Sequence, residues 1–580
     1  MKYTAGLALF IVVAVGAVLF ASWKRTKPLT DKDVLVLADF TNTTGDSAFD
    51  GVLRQALAFE LEQSPFLKIM DDEEVNQTLP LMGRPAGQRI TNDIAHEVCV
   101  REGQKATIGG SIASLGKTYQ IALQAINCQS GATLAREQAV AEDKEHVLKA
   151  VAKATTGMRA RLGESLSSIQ KPDRPFELTT NSLEALKAYQ LGWELIAGNS
   201  PREAIPHLQR AIEMDPNFAQ AYDMLGMAYL HSGQTTRMNE ALAKAFALVD
   251  RVSERERLYI SGDYYYWVTR EMNKALDAFQ VDARTYPRFA ASHNGLYMVH
   301  FNRGEYEKAL EAEQEALRLL PRNAVFISNL MGTYQALDRF DDAKAVALKM
   351  LGQRPYQRGL HSHLLTIAYI QDDHAAQEKE IQWFAGKPDE YMRSVAQGDN
   401  ALLHGQRRTA KELYQRAAEM ALRQSPMDVQ FGPPPAVIDA LMGDCKAART
   451  GTSNLALVLC GDASALRLAE EQAAKHPPPN PDTAALLYQR GLAGLRAGKG
   501  AEAAAEFQKI LDHKGRNWGP FYAPAYLGLA RASALTGDAA KARQAYQDFL
   551  TFWKDADKDL PLLSQALKES AALLAGHKVP

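Results

Sequence analysis

The chain has 580 residues, with 66 Lys+Arg against 68 Asp+Glu and a formal net charge of -2. At about 150 residues per domain that length calls for roughly four units or a repeat array, and a composition 46% hydrophobic and 23% charged excludes wholesale disorder, collagen and a polytopic membrane protein. The balanced charge gives no global grip on a polyanion, so nucleic acid is not an expected partner, and four Cys are too few for a scaffold built on disulfides.

Ala5 to Trp23 reads AGLALFIVVAVGAVLFASW, 19 residues without a charge. As a helix it spans about 28 Å, close to the hydrocarbon thickness of a bilayer, with Trp23 at the interface. The alternative is a cleaved signal peptide, but the run exceeds a normal apolar core of such peptides and Leu19 spoils the small-x-small pattern before Ala21. We therefore expect residues 1–32 to be a single-pass anchor and its flank. Lys2 precedes the segment while Lys24, Arg25 and Lys27 follow it. A literal positive-inside count thus places the large part of the chain in the cytoplasm.

Residues 33–165 predict a compact α/β sandwich. Val34–Phe40 reads as a buried strand, the turn-rich loop Thr41–Asp50 follows, and Leu53, Ala56, Leu57 and Leu61 predict a helix over Gly51–Gln63. Leu67–Met70 suits a second strand, and Thr91–Gly103 a helix capped by Thr91 or Asn92. Ala106–Ser114, Tyr119–Asn127 and Ala132–Ala141 read as three strands joined by turns, and Asp143–Gly163 as a closing helix. The order β-α-β-α-β-β-β-α implies a mixed sheet with helices packed on it. Gly116-Lys117-Thr118 imitates the end of a phosphate loop, but Ser111 stands where its first glycine belongs and a strand follows, so a hairpin turn is expected. Cys99 and Cys128 fall late in a helix and at a strand end. A bridge between them would stabilise by about 3–4 kcal/mol; the other reading is two buried free thiols. Cys445 and Cys460 form a second such pair, and two neighbouring pairs with no remainder suit an oxidising compartment.

From residue 178 a repeat register takes over. Ala204, Ala241, Ala275, Ala309 and Ala343 recur at intervals of 37, 34, 34 and 34, while Pro216, Pro287, Pro321 and Pro355 each lie 12 positions after an Ala. Small residues let the two helices of a pair cross closely, proline ends the second helix, and Leu208, Ile212, Leu225 and Tyr229 fill the space between repeats. Gly192 and Gly226 complete the signature. EYEKALEAEQEALRLLPRN (Glu305–Asn323) and PREAIPHLQRAIEMDPNFAQAYDMLGMAYLHSG (Pro201–Gly233) resemble the tetratricopeptide repeat consensus. The register is clear over 178–425. It continues in degenerate helix pairs over 426–580, marked by Ala447, Ala503 and Ala542 and broken at Gly432–Pro435 and Pro477–Pro481. About ten pairs are expected, curling into a superhelix in which each repeat touches its neighbours.

Within this frame His361 and His363 read as a helical surface pair, Tyr264–Trp267 as packing between repeats, and Asp341, Asp342, Asp372 and Asp373 as solvated caps. No nucleophile, acid–base or metal-ligand constellation is legible, so neither catalysis nor a cofactor is expected. The loop Thr41–Asp50, with Asp46, is where an unread enzyme site would lie.

Thr26–Ile69, Gly110–Gly131 and the closing Phe552–Leu574 resemble the region after the membrane helix of bacterial eukaryotic-like serine/threonine protein kinases, most recognisably at Asp39–Asp46. In those proteins a cytoplasmic kinase precedes the membrane helix. A small domain resembling the amino-terminal domain of TolB follows the helix, and tetratricopeptide repeats come after it. The resemblance implies an extracytoplasmic position for the part after the helix, in keeping with the paired cysteines, and a sensor tail without the kinase that would stand before Met1. The fold expected is α+β multidomain: a membrane helix, a small α/β sandwich and an all-α tetratricopeptide superhelix. The function expected is non-catalytic, with a protein or peptide partner in the repeat groove at the inner membrane facing the periplasm. The other reading is the detached regulatory half of a serine/threonine kinase system. Partner identity and oligomeric state are not written in the residues.

Overall fold

The computed structural model describes residues 29–30, 33–165, 180–197, 200–321, 323–352, 358–387, 389–424, 431–475, 477–575 and 577. The expected membrane segment Ala5–Trp23 and Pro355 lie outside them. Among the described residues no helix is long and apolar enough to cross a membrane. The chain forms two units, residues 1–295 and 296–580.

The first unit opens on a sheet of six strands: β1 (Val34–Leu37), β2 (Thr41–Asn42), β3 (Lys68–Ile69), β4 (Ala106–Leu115), β5 (Thr118–Asn127) and β6 (Thr133–Ala141). Their order is β3-β1-β4-β5-β6, with β2 beside β4. β1 is parallel to both neighbours, and β4, β5 and β6 form an antiparallel meander turning at Gly116 and Gly131. Alternation along β1 shows why the sheet is covered on both faces. Leu35 and Leu37 point to one core with α1 (Val52–Glu62), while Val36 points to another with α2 (Asp72–Leu81) and α3 (Asn92–Arg101). α4 (Val147–Leu162) completes the first layer beside α1. Along β5 and β6 the pattern changes: Gln120 meets Gln138 and Gln124 meets Thr133 on an exposed face.

Two elements differ from expectation. α2 is a helix for which no element was predicted, because its apolar contacts are few: Val75 and Leu79 are its apolar side chains in the core, and Pro80 sits inside its last turn. β2 is a two-residue strand inside the loop Thr41–Asp50, too short to show alternation.

Cys99 and Cys128 are bridged, with Cα atoms 6.1 Å apart, tying α3 to the end of β5 in the second core. Replacing both by Ser should destabilise this layer by about 3–4 kcal/mol, measured as a lower denaturant midpoint for the α3 and β5 amides in hydrogen exchange; an unchanged midpoint would refute it. α3 starts at the expected cap, Thr91 Oγ1 accepting from the Ile94 amide at 3.4 Å. Thr91→Ala should cost about 1 kcal/mol, visible as roughly fivefold faster exchange confined to α3.

Helix pairs follow within the same unit: α5 (Leu183–Ala197) with α6 (Pro201–Met214), α7 (Ala219–His231) with α8 (Thr235–Ala247), and α9 (Glu254–Asp263) with α10 (Met272–Thr285). The expected small residues sit at the crossings: Ala204 and Ala275 are fully buried and Ala241 nearly so. Leu208 of α6 lies against Gly192 of α5, and Leu242 of α8 against Gly226 of α7. Phe279 of α10 wedges between Gly262 and Gly295, two crossing glycines that the sequence reading overlooked although they share the register. A π-turn, Tyr264–Thr269, extends α9; Tyr264 stacks on Phe246 at 4.1 Å, so this aromatic run is packing between repeats. One core runs unbroken from Leu29 to Leu242, so the α/β layer and the first repeats bury their apolar faces together.

The division between the units falls within α11 (Ala290–Asn302), and the second unit continues with α12 (Tyr306–Leu319), α13 (Ala324–Ala336), α14 (Phe340–Leu351), α15 (Arg358–Ile370), α16 (His374–Phe384), α17 (Glu390–Leu403) and α18 (Arg407–Gln424). Ala309 and Ala343 are fully buried at their crossings, and Pro321 follows α12 as Pro216 and Pro287 follow α6 and α10. Beyond Gly432 the pairs shorten. Cys445 begins a helix of four residues and is bridged to Cys460, with Cα atoms 5.5 Å apart. Regular pairs return in Ala484–Arg496 with Gly500–Leu511 and in Tyr522–Leu535 with Ala539–Phe552, and Pro561–Leu574 closes the unit. Trp553, fully buried, donates from its indole N–H to the Leu403 carbonyl at 3.1 Å, joining the last helices back to α17.

Candidate functional site

In a tetratricopeptide array the surface that can meet another polypeptide is made by the first helix of each pair. In the first unit that surface is α5, α7 and α9. Tyr189 of α5 meets Phe59 of α1 at 5.7 Å and Phe218 at 5.1 Å. The guanidinium of Arg255 of α9 lies 3.5 Å from Glu62 of α1 and 4.3 Å above the Phe289 ring. The α/β layer therefore rests on the first helices of these repeats. Leu191 and Trp193 of α5 are left 42% and 44% exposed, large apolar side chains on a first helix that a partner could still reach.

Beneath that contact lies a set of buried acids absent from any motif reading. Burial pushes Glu60 up to about 7, with Arg159 opposing and Glu256 adding to the shift. Burial likewise pushes Asp223 of α7 up to about 7 and raises Asp263 of α9 well above the usual carboxylate range, the latter also through Asp223. Asp282 of α10 is pushed to about 7 by burial, although it accepts from the Ser292 hydroxyl at 2.5 Å. Among the described residues neither oxygen of Asp263 has a hydrogen-bond partner. Nearby, Arg159 and Glu164 form a fully buried pair at 2.7 Å, and Ser64 donates to Glu164 at 2.6 Å. Among the described residues no three His, Cys, Asp or Glu side chains are placed to hold a metal.

The loop Thr41–Asp50 uses its polar atoms on itself. Asp46 accepts from the Ala48 amide at 2.9 Å and pairs with Lys144 at 2.8 Å, and Asn42 donates to Asp50 at 2.9 Å. These contacts hold the loop over the sheet. Gly116-Lys117-Thr118 is the β4–β5 turn.

The histidine pair corrects the sequence reading. His361 is buried, stacked 3.7 Å from Trp383 and bonded to Glu380 at 2.5 Å. His363 is pushed down to about 4 by burial and meets Ser328 at 3.2 Å. His361 packs between the two helices of its own pair and His363 between the first helices of neighbouring pairs, because other helices supply the partners that a single helix does not show. Asp373 does cap α16, accepting from the Ala376 amide at 3.0 Å, while Asp342 pairs with Arg339 at 2.8 Å.

The tetratricopeptide repeat family matches residues 207–238 and 463–519. The chain carries tetratricopeptide repeats. Superkiller protein 3 of Schizosaccharomyces pombe is 25% identical over 137 residues, 23% of this chain and 10% of that protein, so the chain spans about a tenth of the length of this relative. Among solved structures, a thermophilic tetratricopeptide protein of Thermus thermophilus is 24% identical with a TM-score of 0.27, covering 30% of this chain and 94% of its own. PilW, a type IV pilus biogenesis factor, is 16% identical with a TM-score of 0.30, covering 37% of this chain and 98% of its own. The LpoB C-terminal domain from Salmonella enterica is 13% identical with a TM-score of 0.19, covering 21% and 92%. Tetratricopeptide proteins are scaffolds that bind protein or peptide partners.

Proposed function

We propose that this chain is a membrane-anchored, non-catalytic interaction protein that holds a partner polypeptide on its tetratricopeptide helices, with its large part facing the periplasm. The observation that carries the reading is the stacked helix register with Leu191 and Trp193 half-exposed on a first helix, where apolar anchors bind partner segments. The uncharged run Ala5–Trp23 supports the anchor, and the cysteine pairs support an oxidising compartment. The resemblance of Thr26–Ile69 and Gly110–Gly131 to kinase sensor regions supports a narrower form, a regulatory half that acts on a separately encoded serine/threonine kinase.

The test is an export-dependent reporter fused at the carboxyl terminus, with thiol labelling of intact cells and a photocrosslinker at Trp193. An active reporter, thiols that label only after reduction, and one recurrent crosslinked polypeptide are expected. A silent reporter with freely labelled thiols would overturn the location. A crosslinker that captures no polypeptide would overturn the binding role.

A further inference from the structure

In each of these repeats the turn after the first helix needs a left-handed residue. Gly233, Gly304, Gly405 and Gly537 supply it with φ between 71° and 80°, as expected of glycine. Arg270, Asp338 and Asp372 hold the same position with φ of 59°, 57° and 56°. A non-glycine residue there carries strain that another contact must offset. For Asp338 that contact is visible. Its carboxylate accepts from the Gly515 amide at 2.5 Å and meets His513 Nδ1 at 3.3 Å. The Gln335 side-chain amide, from the end of α13, donates to the Gly515 carbonyl at 3.3 Å. Lys514 Nζ donates to the Ile370 carbonyl at the end of α15 at 2.6 Å, a cation set on the negative end of a helix with Asp372 and Asp338 adding attraction. A Cβ on Gly515 would stand inside the Gln335 carbonyl oxygen. The rim formed by the ends of α13 and α15 thus reads four features of one dipeptide: an ammonium, an N–H, a C=O and the absence of a side chain.

We propose that this rim is a polypeptide-binding site for a Lys-Gly segment, filled here by the chain's own Lys514–Gly515, and that a partner bearing an exposed Lys-Gly segment enters by displacing it. The inference rests on the reading above that the repeats bind polypeptide, and it adds the chemistry of the partner. The occupying segment is a single short turn, Lys514–Asn517, between two regular helices; Asn517 is buried and donates to the Ile510 carbonyl at 3.0 Å, so a partner enters by parting Lys514 and Gly515 from the rim while Asn517 keeps its place on the preceding helix.

The test uses the purified full chain and a fluorescein-labelled acetyl-DHKGRNW-amide peptide, read by anisotropy. Gly515→Val should vacate the rim and bind the peptide at least tenfold more tightly than the unaltered chain. Adding Asp338→Asn should remove that gain, and a peptide with Ala in place of Gly should not bind. Equal or absent binding by both chains, with matching circular dichroism and melting, overturns the site. If Gly515→Val does not fold, hydrogen exchange of the unaltered chain decides: saturating peptide should speed exchange of the Gly515 amide at least tenfold, and an unchanged rate overturns the proposal. These outcomes leave the Trp193 crosslink untouched, so failure here and failure of the general binding role are separable.

Discussion

Arg159→Ala should destabilise the first unit by about 3–5 kcal/mol, the range for breaking a buried ion pair from one side. Arg159 and Glu164 are fully buried, and the guanidinium makes two short bonds to the carboxylate, 2.8 Å from Nε and 2.7 Å from Nη2. Removing the cation leaves the Glu164 carboxylate, which accepts from the Ser64 hydroxyl at 2.6 Å, carrying its charge in a medium that solvates it poorly. The pair fixes the end of α4 to Ser64, two residues past the end of α1, and α1 is the helix on which the repeats rest. Loss should therefore appear first as protease sensitivity and fast exchange in α1 and α4, with the second unit unaffected. Arg159→Met combined with Glu164→Gln should recover most of the loss, because the cost lies in the unpaired charge and not in the missing volume. A single substitution costing under about 1 kcal/mol would show that water reaches the pair.

What was legible in the sequence was what short spacing encodes. The Ala and Pro register gave the helix pairs, the turns at Gly116 and Gly131 gave the meander, and Thr91 gave the start of α3. The acidic run Asp71–Glu74 marks the start of α2, but α2 sends too few apolar side chains inward to announce itself by periodicity. The candidate sites were harder because their partners are far apart in the chain. Arg255 meets Glu62 across nearly two hundred residues, and Asp338 meets Gly515 across 177. Asp338 itself left a trace: an aspartate where the preceding repeat places Gly304 is a break in the pattern, and such breaks mark contacts that the repeat alone does not need. The two half-exposed residues of α5 were invisible for the opposite reason. Trp193 looks like any core aromatic until the packing of its helix is known.

The buried acids make the first unit more stable in mild acid than at alkaline pH, the reverse of a protein held by paired carboxylates. Glu60, Asp223 and Asp282 titrate near 7 in the folded chain against 3.8–4.5 when unfolded, and Asp263 is raised in the same direction. A carboxyl whose folded value is raised contributes stability that is complete below its unfolded value, about pH 4, and is lost as pH rises through the folded one. A shift of this size is worth about 3–4 kcal/mol for one group. Relaxation and water entry share the load among neighbours, so the net loss between pH 4.5 and 8 should be on the order of 4 kcal/mol for the unit. Exposed acids with lowered values, such as Asp46 and Asp143, act only at the acid edge of that window. Calorimetry of the full chain should show the transition of the first unit falling steadily from pH 5 to 8. Asp263→Asn keeps the shape of the side chain and removes its charge, so it should raise that transition at pH 8, leave it nearly unchanged at pH 5 and flatten the slope. A transition that rises toward pH 8, or a slope that Asp263→Asn does not alter, would show that these carboxyls stay hydrated. Because the same acids line the helices under α1, their ionisation loosens the seat of the α/β layer on the repeats. Exchange in α1 should therefore accelerate over the same interval as the transition falls.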